Sequence, residues 1–446
     1  MSRLPSQVIG DAYTNSRAMD VLTDITEIGN RMAGQNGERA GAEVIRDAFE
    51  AADLRAVEIN EFDVAGWWRG DSSIEVDAGR SPRFESDHQI IALPGTPSGD
   101  VEAQLLDLDY GLPEDMDDGI EGKIVMARSD TPDDHDRWIH RMEKYATAAD
   151  HGAVGFVFRN HVEGCLPPTG EIGDHDRPGP IPAVGVSKET GARLARYCEG
   201  GEPTARLGVD CRNAPSTSQN VEAVVGPDTE SEVLVTAHID AHDIAEGAGD
   251  NGAGSTLVAE IGRLLKAAED DLDTRVRLVT FGAEEIGLCG AYHWVDTHDN
   301  DAVKAVINID GAGNSRTPRV RSYEFEPMTT AFETVGEDLD VPVEVDDELS
   351  PHSDAWPFVE EGIPTVTAGS VSEAEGRGWG HTHADTLDKI DSRDLRALAI
   401  SLATAAMTVA EDDRSIPHKE RTAIREAIDE GYEQELKVIG RWPYGD

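Results

Sequence analysis

The stretch EVLVTAHIDAHDIAEGAGDNGAGSTLVAEIGRLLKAA, residues 232–268, changes character twice. Residues 233–237 form an apolar run rich in β-branched side chains, the composition of a strand covered on both faces. From Ala253 onward Leu257, Val258, Ile261, Leu264 and Leu265 recur at helical spacing. Between them lies a polar loop in which Gly247, Gly249, Gly252 and Gly254 surround Asp250 and Asn251. Strand, polar loop and helix in this order make the repeating unit of a parallel sheet. Glycine admits close approach to the backbone but raises the entropic cost of ordering a loop. A carboxylate fenced by four glycines therefore sits either in a plain solvated turn or in a loop built around something.

The same alternation extends outward. VEAVV (221–225), RVRLVTFG (275–282), AVKAVINID (302–310) and IPTVTAG (363–369) read as strands, with helices over 288–298 and 391–411. The fold class is α/β, with a mostly parallel central sheet and helices on both faces. Near the start, NGERAGAEVIRDAFEAADL (36–54) spaces Val44, Ile45, Ala48, Phe49 and Ala52 as a helix, and AVEINEFDV (56–64) follows as a strand. GKIVMAR (122–128), the helical RMEKYATAADHG (141–152), AVGFVFRN (153–160) and IPAVGV (181–186) form a separate set. LPGTPSGD (93–100) and NAPSTSQN (213–220) bound that set, as linkers bound an inserted domain. The expected organisation is a main domain of residues 1–94 and 214–412, an insert of 95–213 and a charged helical tail of 413–446.

Composition narrows the function. The 446 residues carry 39 basic against 88 acidic side chains, a net charge of −49. Nothing in that balance neutralises phosphates in number, so nucleic acid is not an expected partner. The acidity is dispersed and lysine is scarce, a surface like that of proteins from salt-loving organisms, where a short Debye length removes self-repulsion. No apolar run approaches the ~18 residues of a membrane span, and no membrane partner is expected. The polar opening MSRLPSQVIGDAYTNSR lacks the basic start and apolar centre of a signal peptide, so the expected location is cytoplasmic. Cys165, Cys198, Cys211 and Cys289 are too few and scattered for a disulfide framework, and no CxxC pair suggests a thiolate zinc site.

Chemistry gathers where the strands end. EVLVTAH delivers His238 and, two residues on, Asp240; RVRLVTFGA delivers Glu284 and Glu285; AVINI delivers Asp310. In an open α/β sheet, ligands bind beyond the carboxyl ends of strands, and the loop carrying Asp250 hangs over the same crevice. One imidazole with several carboxylates suits zinc, with cobalt or manganese as substitutes. Strand periodicity puts His238 and Asp240 on one side, where Asp240 can orient the imidazole. Adjacent side chains diverge in the Glu284–Glu285 pair, so one can bind metal while its neighbour acts as general base. WGHTHADTLDKID (379–391) adds a second imidazole, for which His381 and His383 compete.

AHIDAHD (237–243), GAGDNGAG (247–254), GAEEIGLCGA (282–291), NID (308–310) and HTHADT (381–386) occur in the order and near the spacing of the co-catalytic dizinc exopeptidases. That family contains leucyl aminopeptidases, glutamate carboxypeptidases and glutaminyl cyclases. GNRMAGQNGERAG (29–41) resembles its opening segment, and residues from about 95 to 213 resemble a mainly-β protease-associated (PA) insert. The resemblance implies two zinc ions, one held by His238 and Asp310, the other by Glu285 and His381, with Asp250 bridging both. His381 is preferred because the family's HTxxDT places its ligand four residues before the Asp, here Asp385; His383 becomes a pocket residue. Glu284 is the implied general base, Asp240 completes the catalytic set as the residue that holds the His238 imidazole, and the peptide after Asp250 is implied to be cis. The implied reaction is hydrolysis of N-terminal peptide bonds, in which the ions acidify a bridging water and Glu284 moves its proton.

This chain departs from the family twice. Ala355 follows the SD of PHSDAWPF where many members carry an aromatic residue or His, and Gly380 replaces a Tyr before the last His. His352 is the substitute candidate for stabilising the oxyanion. Trp67, Trp68, Trp356 and Trp379 are read as packing residues before pocket residues. The alternative activities are a carboxypeptidase or dipeptidase, for which Arg316, Arg319, Arg321 and Arg377 offer carboxylate partners, and a receptor-like binding protein without catalysis.

Overall fold

In the computed structural model, which describes residues 4–79, 81–173, 177–374, 376 and 378–445, the strand Glu232–His238 is buried along its whole length. It pairs in parallel with Arg275–Phe281 on one side and Val303–Ile309 on the other. Thr365–Ser370 continues the parallel set beside Val303–Ile309. Antiparallel strands flank these four: Val221–Val225 lies against Arg275–Phe281, and Pro318–Arg321 against Thr365–Ser370. Because Glu232–His238 has its successors on opposite sides, the strand order reverses at His238, which opens a crevice beyond the carboxyl ends.

Burial on both faces explains the near-continuous apolar strands. One face packs Leu234, Val279, Val303 and Val306 against Trp294 and Val295 of the helix Cys289–Thr297 and Phe358 of the helix Trp356–Glu360. The helices Ala253–Ala267 and Ser392–Val409 pack against one another, with Leu257, Ile261, Leu264, Leu395, Leu398 and Leu402 essentially inaccessible. These elements match the helices and strands read from periodicity. Helices Ser6–Thr14, Arg17–Thr26, Lys188–Glu199 and Glu326–Leu339 were not read in the sequence.

The chain divides into two compact units, Met1–Asp63 with Thr217–Glu373 and Asp385–Asp429, and Val64–Ser216 with Ala374–Ala384 and Glu430–Asp446. The second has its own sheet, with Ile124–Arg128, Gly155–Arg159 and Ala183–Val186 parallel and in that order. Phe156, Phe158, Val125 and Tyr145 of the helix Arg141–Asp150 form its core. This division differs from the expected boundaries of 94 and 214 and from a separate tail. Arg55–Asp77 is a single strand of 23 residues, and its far half pairs with Arg83–Phe84 inside the second unit. The tail splits because Arg137 of the second unit meets Glu435 at 3.3 Å while its guanidinium stands over the Tyr432 ring. Among the described residues, no helix is long and apolar enough to cross a membrane.

Candidate metal centre

His238 ends its strand paired opposite Phe281, so the turn carrying Glu284 and Glu285 begins beside it. Asp310 directly follows Val303–Ile309. Three ligand atoms, one each from His238, Asp250 and Asp310, lie within 4.8 Å of one another. The His238 Nε2 stands 3.4 Å from Asp250 Oδ1 and 3.9 Å from Asp310 Oδ1. Its Nδ1 faces Asp240, 3.2 Å from the backbone carbonyl oxygen and 3.6 Å from the carboxylate. The Asp240 carboxylate accepts the backbone N–H groups of Glu284 and Glu285, both at 3.1 Å. Asp240 thus touches both the imidazole and the turn.

The glycine-fenced loop is anchored at several points. The Asp385 carboxylate accepts the N–H groups of Gly249 at 2.7 Å and Asp250 at 3.0 Å. The Asp250–Asn251 peptide is cis. The buried Asn251 side chain donates to the Ile309 carbonyl at 2.8 Å and accepts the Gly254 N–H at 3.0 Å, tying the loop to the strand that precedes Asp310. Gly247 is left-handed at φ 59°, and a Cβ there would stand 2.3 Å from that of Ala241. Here glycine is required by both backbone conformation and space.

A second pair lies in the same unit: His242 Nε2 stands 2.8 Å from Glu285 Oε2, both side chains buried. The sequence reading missed His242. It lies in AHIDAHD two residues beyond Asp240, past the end of the strand, where period-two arguments stop. It also missed Asp354, which is inaccessible and has no hydrogen bond to either carboxylate oxygen. Burial, with the charges of Asp240, Asp310 and Glu285, pushes the Asp354 carboxyl well above the ordinary range against the pull of His238. Glu284 is likewise raised well above its ordinary value, by burial first and then by Glu285, Asp354 and Asp310, while His238 opposes. Burial disfavours the charged form of His238, but Glu284, Asp240, Asp250 and Asp310 outweigh it and hold the imidazole well above its usual pKa. Carboxylates of like sign crowd a buried crevice, and a bound cation would relieve the crowding. The donor set of imidazole and carboxylate oxygens fits zinc.

His381 lies in the second unit. Its backbone is left-handed at φ 58°, its carbonyl accepts the Thr169 N–H at 2.9 Å, and its Nδ1 stands 3.2 Å from the Thr169 carbonyl oxygen. His352 faces the Ser350 hydroxyl at 2.9 Å. Trp67 and Trp356 are buried, as packing residues are, whereas Trp379 is 43% exposed. Arg319 and Arg321 engage Asp346, at 3.4 and 2.7 Å, and Arg321 also reaches Glu348 at 2.8 Å. Arg316 is exposed; Arg377 lies outside the described residues.

A doubly wound sheet with a histidine–carboxylate crevice at its strand ends defines the class as a metallohydrolase. Residues 220–406 match Peptidase family M28, and residues 96–194 match the PA domain. Aminopeptidase YwaD of Bacillus subtilis is 28% identical over 415 residues, covering 89% of this chain and 84% of that protein. The fold is shared with a peptidase M28 precursor from Shewanella amazonensis (TM-score 0.75, 23% identity, 93% of this chain and 98% of that one). It is shared too with a zinc aminopeptidase from Bacillus subtilis (TM-score 0.68, 24% identity, 91% and 98%). The chain thus matches peptidase family M28 over the residues that carry the crevice, with a PA domain matched ahead of them. It is a metallopeptidase, and its substrates are peptides.

Proposed function

We propose that this metallopeptidase is an aminopeptidase working with two zinc ions. The observation that carries the reading is the charge of the crevice, where Asp240, Asp250, Glu284, Glu285, Asp310 and Asp354 act on one another. Where zinc does not meet them, such carboxylates favour a substrate's α-ammonium end over its carboxylate end. The guanidinium beside it, that of Arg31, is engaged by backbone carbonyls, and Arg319 and Arg321 are engaged by acids. Relatives that bear the name aminopeptidase agree with this choice.

His238, Asp250 and Asp310 would hold one ion and Glu285, with His242 beside it, would help to hold the other; His381 is kept as the ligand that the sequence assigns with Glu285. When bound, the ions supply Lewis acidity toward the scissile carbonyl and toward water. Glu284 takes the proton of the attacking water and returns it to the leaving amine. Asp240 keeps Glu284 and Glu285 in place through their backbone N–H groups.

Two measurements test this reading. Elemental analysis after purification in zinc should find two ions per chain; finding none would leave a binding protein without catalysis. A panel of free-amine, N-blocked and C-blocked peptides should show that blocking the amine abolishes cleavage and blocking the carboxyl does not, and the reverse pattern would make the enzyme a carboxypeptidase. We also propose, from the charge of −49, adaptation to high salt. Thermal stability should rise from low salt to molar KCl, where the Debye length is about 3 Å, and a flat or falling midpoint would remove that reading.

A further inference from the structure

The segment Arg31–Glu38 touches both loops that carry the site. Arg31 is wholly buried, and its guanidinium donates to the carbonyls of Ile239 (3.0 Å), Glu246 (2.6 Å), Gly247 (2.9 Å) and Ile25 (3.3 Å). Its own carbonyl accepts the Ala241 N–H at 3.1 Å. Three of those carbonyls and that N–H belong to the span that leaves His238, contains His242 and leads into Asp250. Seven residues on, the buried Glu38 carboxylate accepts the N–H of Ala283 at 2.9 Å, the Ser218 hydroxyl at 2.6 Å and the Gly34 N–H at 2.8 Å. Ala283 immediately precedes Glu284 and Glu285. A Cβ on the neighbouring Gly282 would stand 2.7 Å from Glu38 Oε1 and 2.2 Å from the Ser218 hydroxyl oxygen, so the turn is pressed against this brace.

We propose that Arg31 and Glu38 are positioning residues which set the two metal-bearing loops at the spacing that binding requires. The inference rests on the two-zinc reading above. Neither side chain meets a ligand side chain in these hydrogen bonds; both act on backbone. A guanidinium is the side chain for the first task, because its rigid fork can meet several carbonyls at once, whereas an ammonium on a flexible stem cannot hold the same span. For the second task a carboxyl group is needed, because all three of its partners are donors; burial first and then Asp240 raise its pKa to about 8, and those three donors oppose the rise. Glu38 complements Asp240, whose carboxylate receives the next two N–H groups of the same turn. Each brace serves its own loop, so the two should be separable. Loosening Glu38 frees the turn of Glu285, and loosening Arg31 frees the loop of Asp250.

The experiment is a competitive zinc titration against a chromogenic chelator on the full-length protein. Wild type is compared with Glu38→Gln, Arg31→Lys and Ser218→Ala, with kcat and KM measured on one free-amine peptide and the thermal midpoint of each metal-stripped protein recorded. Glu38→Gln puts an amide N–H against a backbone N–H or a hydroxyl donor. It should weaken one zinc step by about 10- to 100-fold, the range for outer partners of metal ligands, leave the other step near wild type, and lower kcat more than it raises KM. Arg31→Lys should weaken both zinc steps by a similar factor, because the span it holds carries Asp250 and also His242, which stands beside Glu285. Ser218→Ala, which removes one donor and leaves the carboxylate, should shift the same step as Glu38→Gln by less. If Arg31→Lys does not fold, the Glu38 and Ser218 variants decide. Variants that lose thermal stability yet keep both zinc affinities and kcat would overturn the inference while the two-zinc reading stands; a wild type that takes up no zinc would remove both.

Discussion

The two units bury charge in opposite ways. In the second, buried charges are met by backbone carbonyls or by opposite charge. Lys144, wholly inaccessible, donates to the carbonyls of Tyr110, Arg128 and Asp130, each at 2.8 Å, and burial lowers its pKa to about 8. Arg137 pairs with Glu143 at 2.7 Å and with Glu435 at 3.3 Å, and Arg441 pairs with Glu171 at 2.8 Å. In the crevice of the first unit, carboxylates outnumber the imidazoles beside them, and neither Asp354 carboxylate oxygen has a hydrogen bond. Matched buried charge holds a fold together. Unmatched charge of one sign is tolerated where an external partner completes it, which is why perturbed titration concentrates at functional sites.

The contrast is broken most directly by substitutions that change one charge in each unit. Glu284→Gln keeps the shape of the side chain and removes its basicity. It should lower kcat by about 10² to 10⁴, the range for general base catalysis, while both metals and the fold persist. Glu285→Gln should instead loosen one ion, with activity partly restored by excess zinc. Loss of metal from the first variant and not the second would exchange the two roles. Full activity in both would move the active site elsewhere.

In the second unit the expected effect falls on stability alone. Arg137→Met leaves Glu143 and Glu435, which are 4% and 1% exposed, without their cation. Breaking a buried pair from one side costs about 3 kcal/mol or more. Urea unfolding should show that loss, and zinc stoichiometry should be unchanged in the protein that remains folded. A variant of normal stability would mean that these carboxylates are relieved by protonation or water, and the contrast between the units would weaken.

What was legible in the sequence was local. His238, Glu284, Glu285 and Asp310 follow apolar runs whose strand character is set within a few residues, so their arrival at one edge could be inferred. Arg31 could not be found this way. Its partners lie more than 200 residues along the chain, and an Arg before a helix reads as a solvated charge. Glu38 sits on the helix Asn36–Ala51, where a glutamate at the first turn is ordinary. Asp354 lies in the irregular stretch 347–354, where no periodicity places a side chain. The unit boundaries were obscured for a different reason: Arg55–Asp77 and Thr204–Val225 run from one unit into the other as single strands, with no linker composition at the division.

The smallest expected effect sharpens the comparison within the first unit, at a buried carboxylate whose surroundings differ from the crevice. Glu360 is buried, with Tyr292 at 3.4 Å, and burial first and then Glu361 raise its pKa from an ordinary 4.5 to about 8. A carboxyl that binds its proton more tightly in the folded state stabilises the fold fully below the unfolded pKa. That contribution is lost as pH rises through the folded one. Between pH 5 and 8 the wild type should therefore lose stability relative to Glu360→Gln, which has no proton to release. Each pKa unit is worth about 1.4 kcal/mol, and relaxation of the site reduces the full shift, so a relative change on the order of 1–3 kcal/mol is expected in urea midpoints at constant salt. Zinc content should not differ between the two proteins at either pH. Parallel stability curves would mean that Glu360 is ionised and relieved in the folded protein. Retention of a buried proton would then belong to the crevice and not to this unit's core.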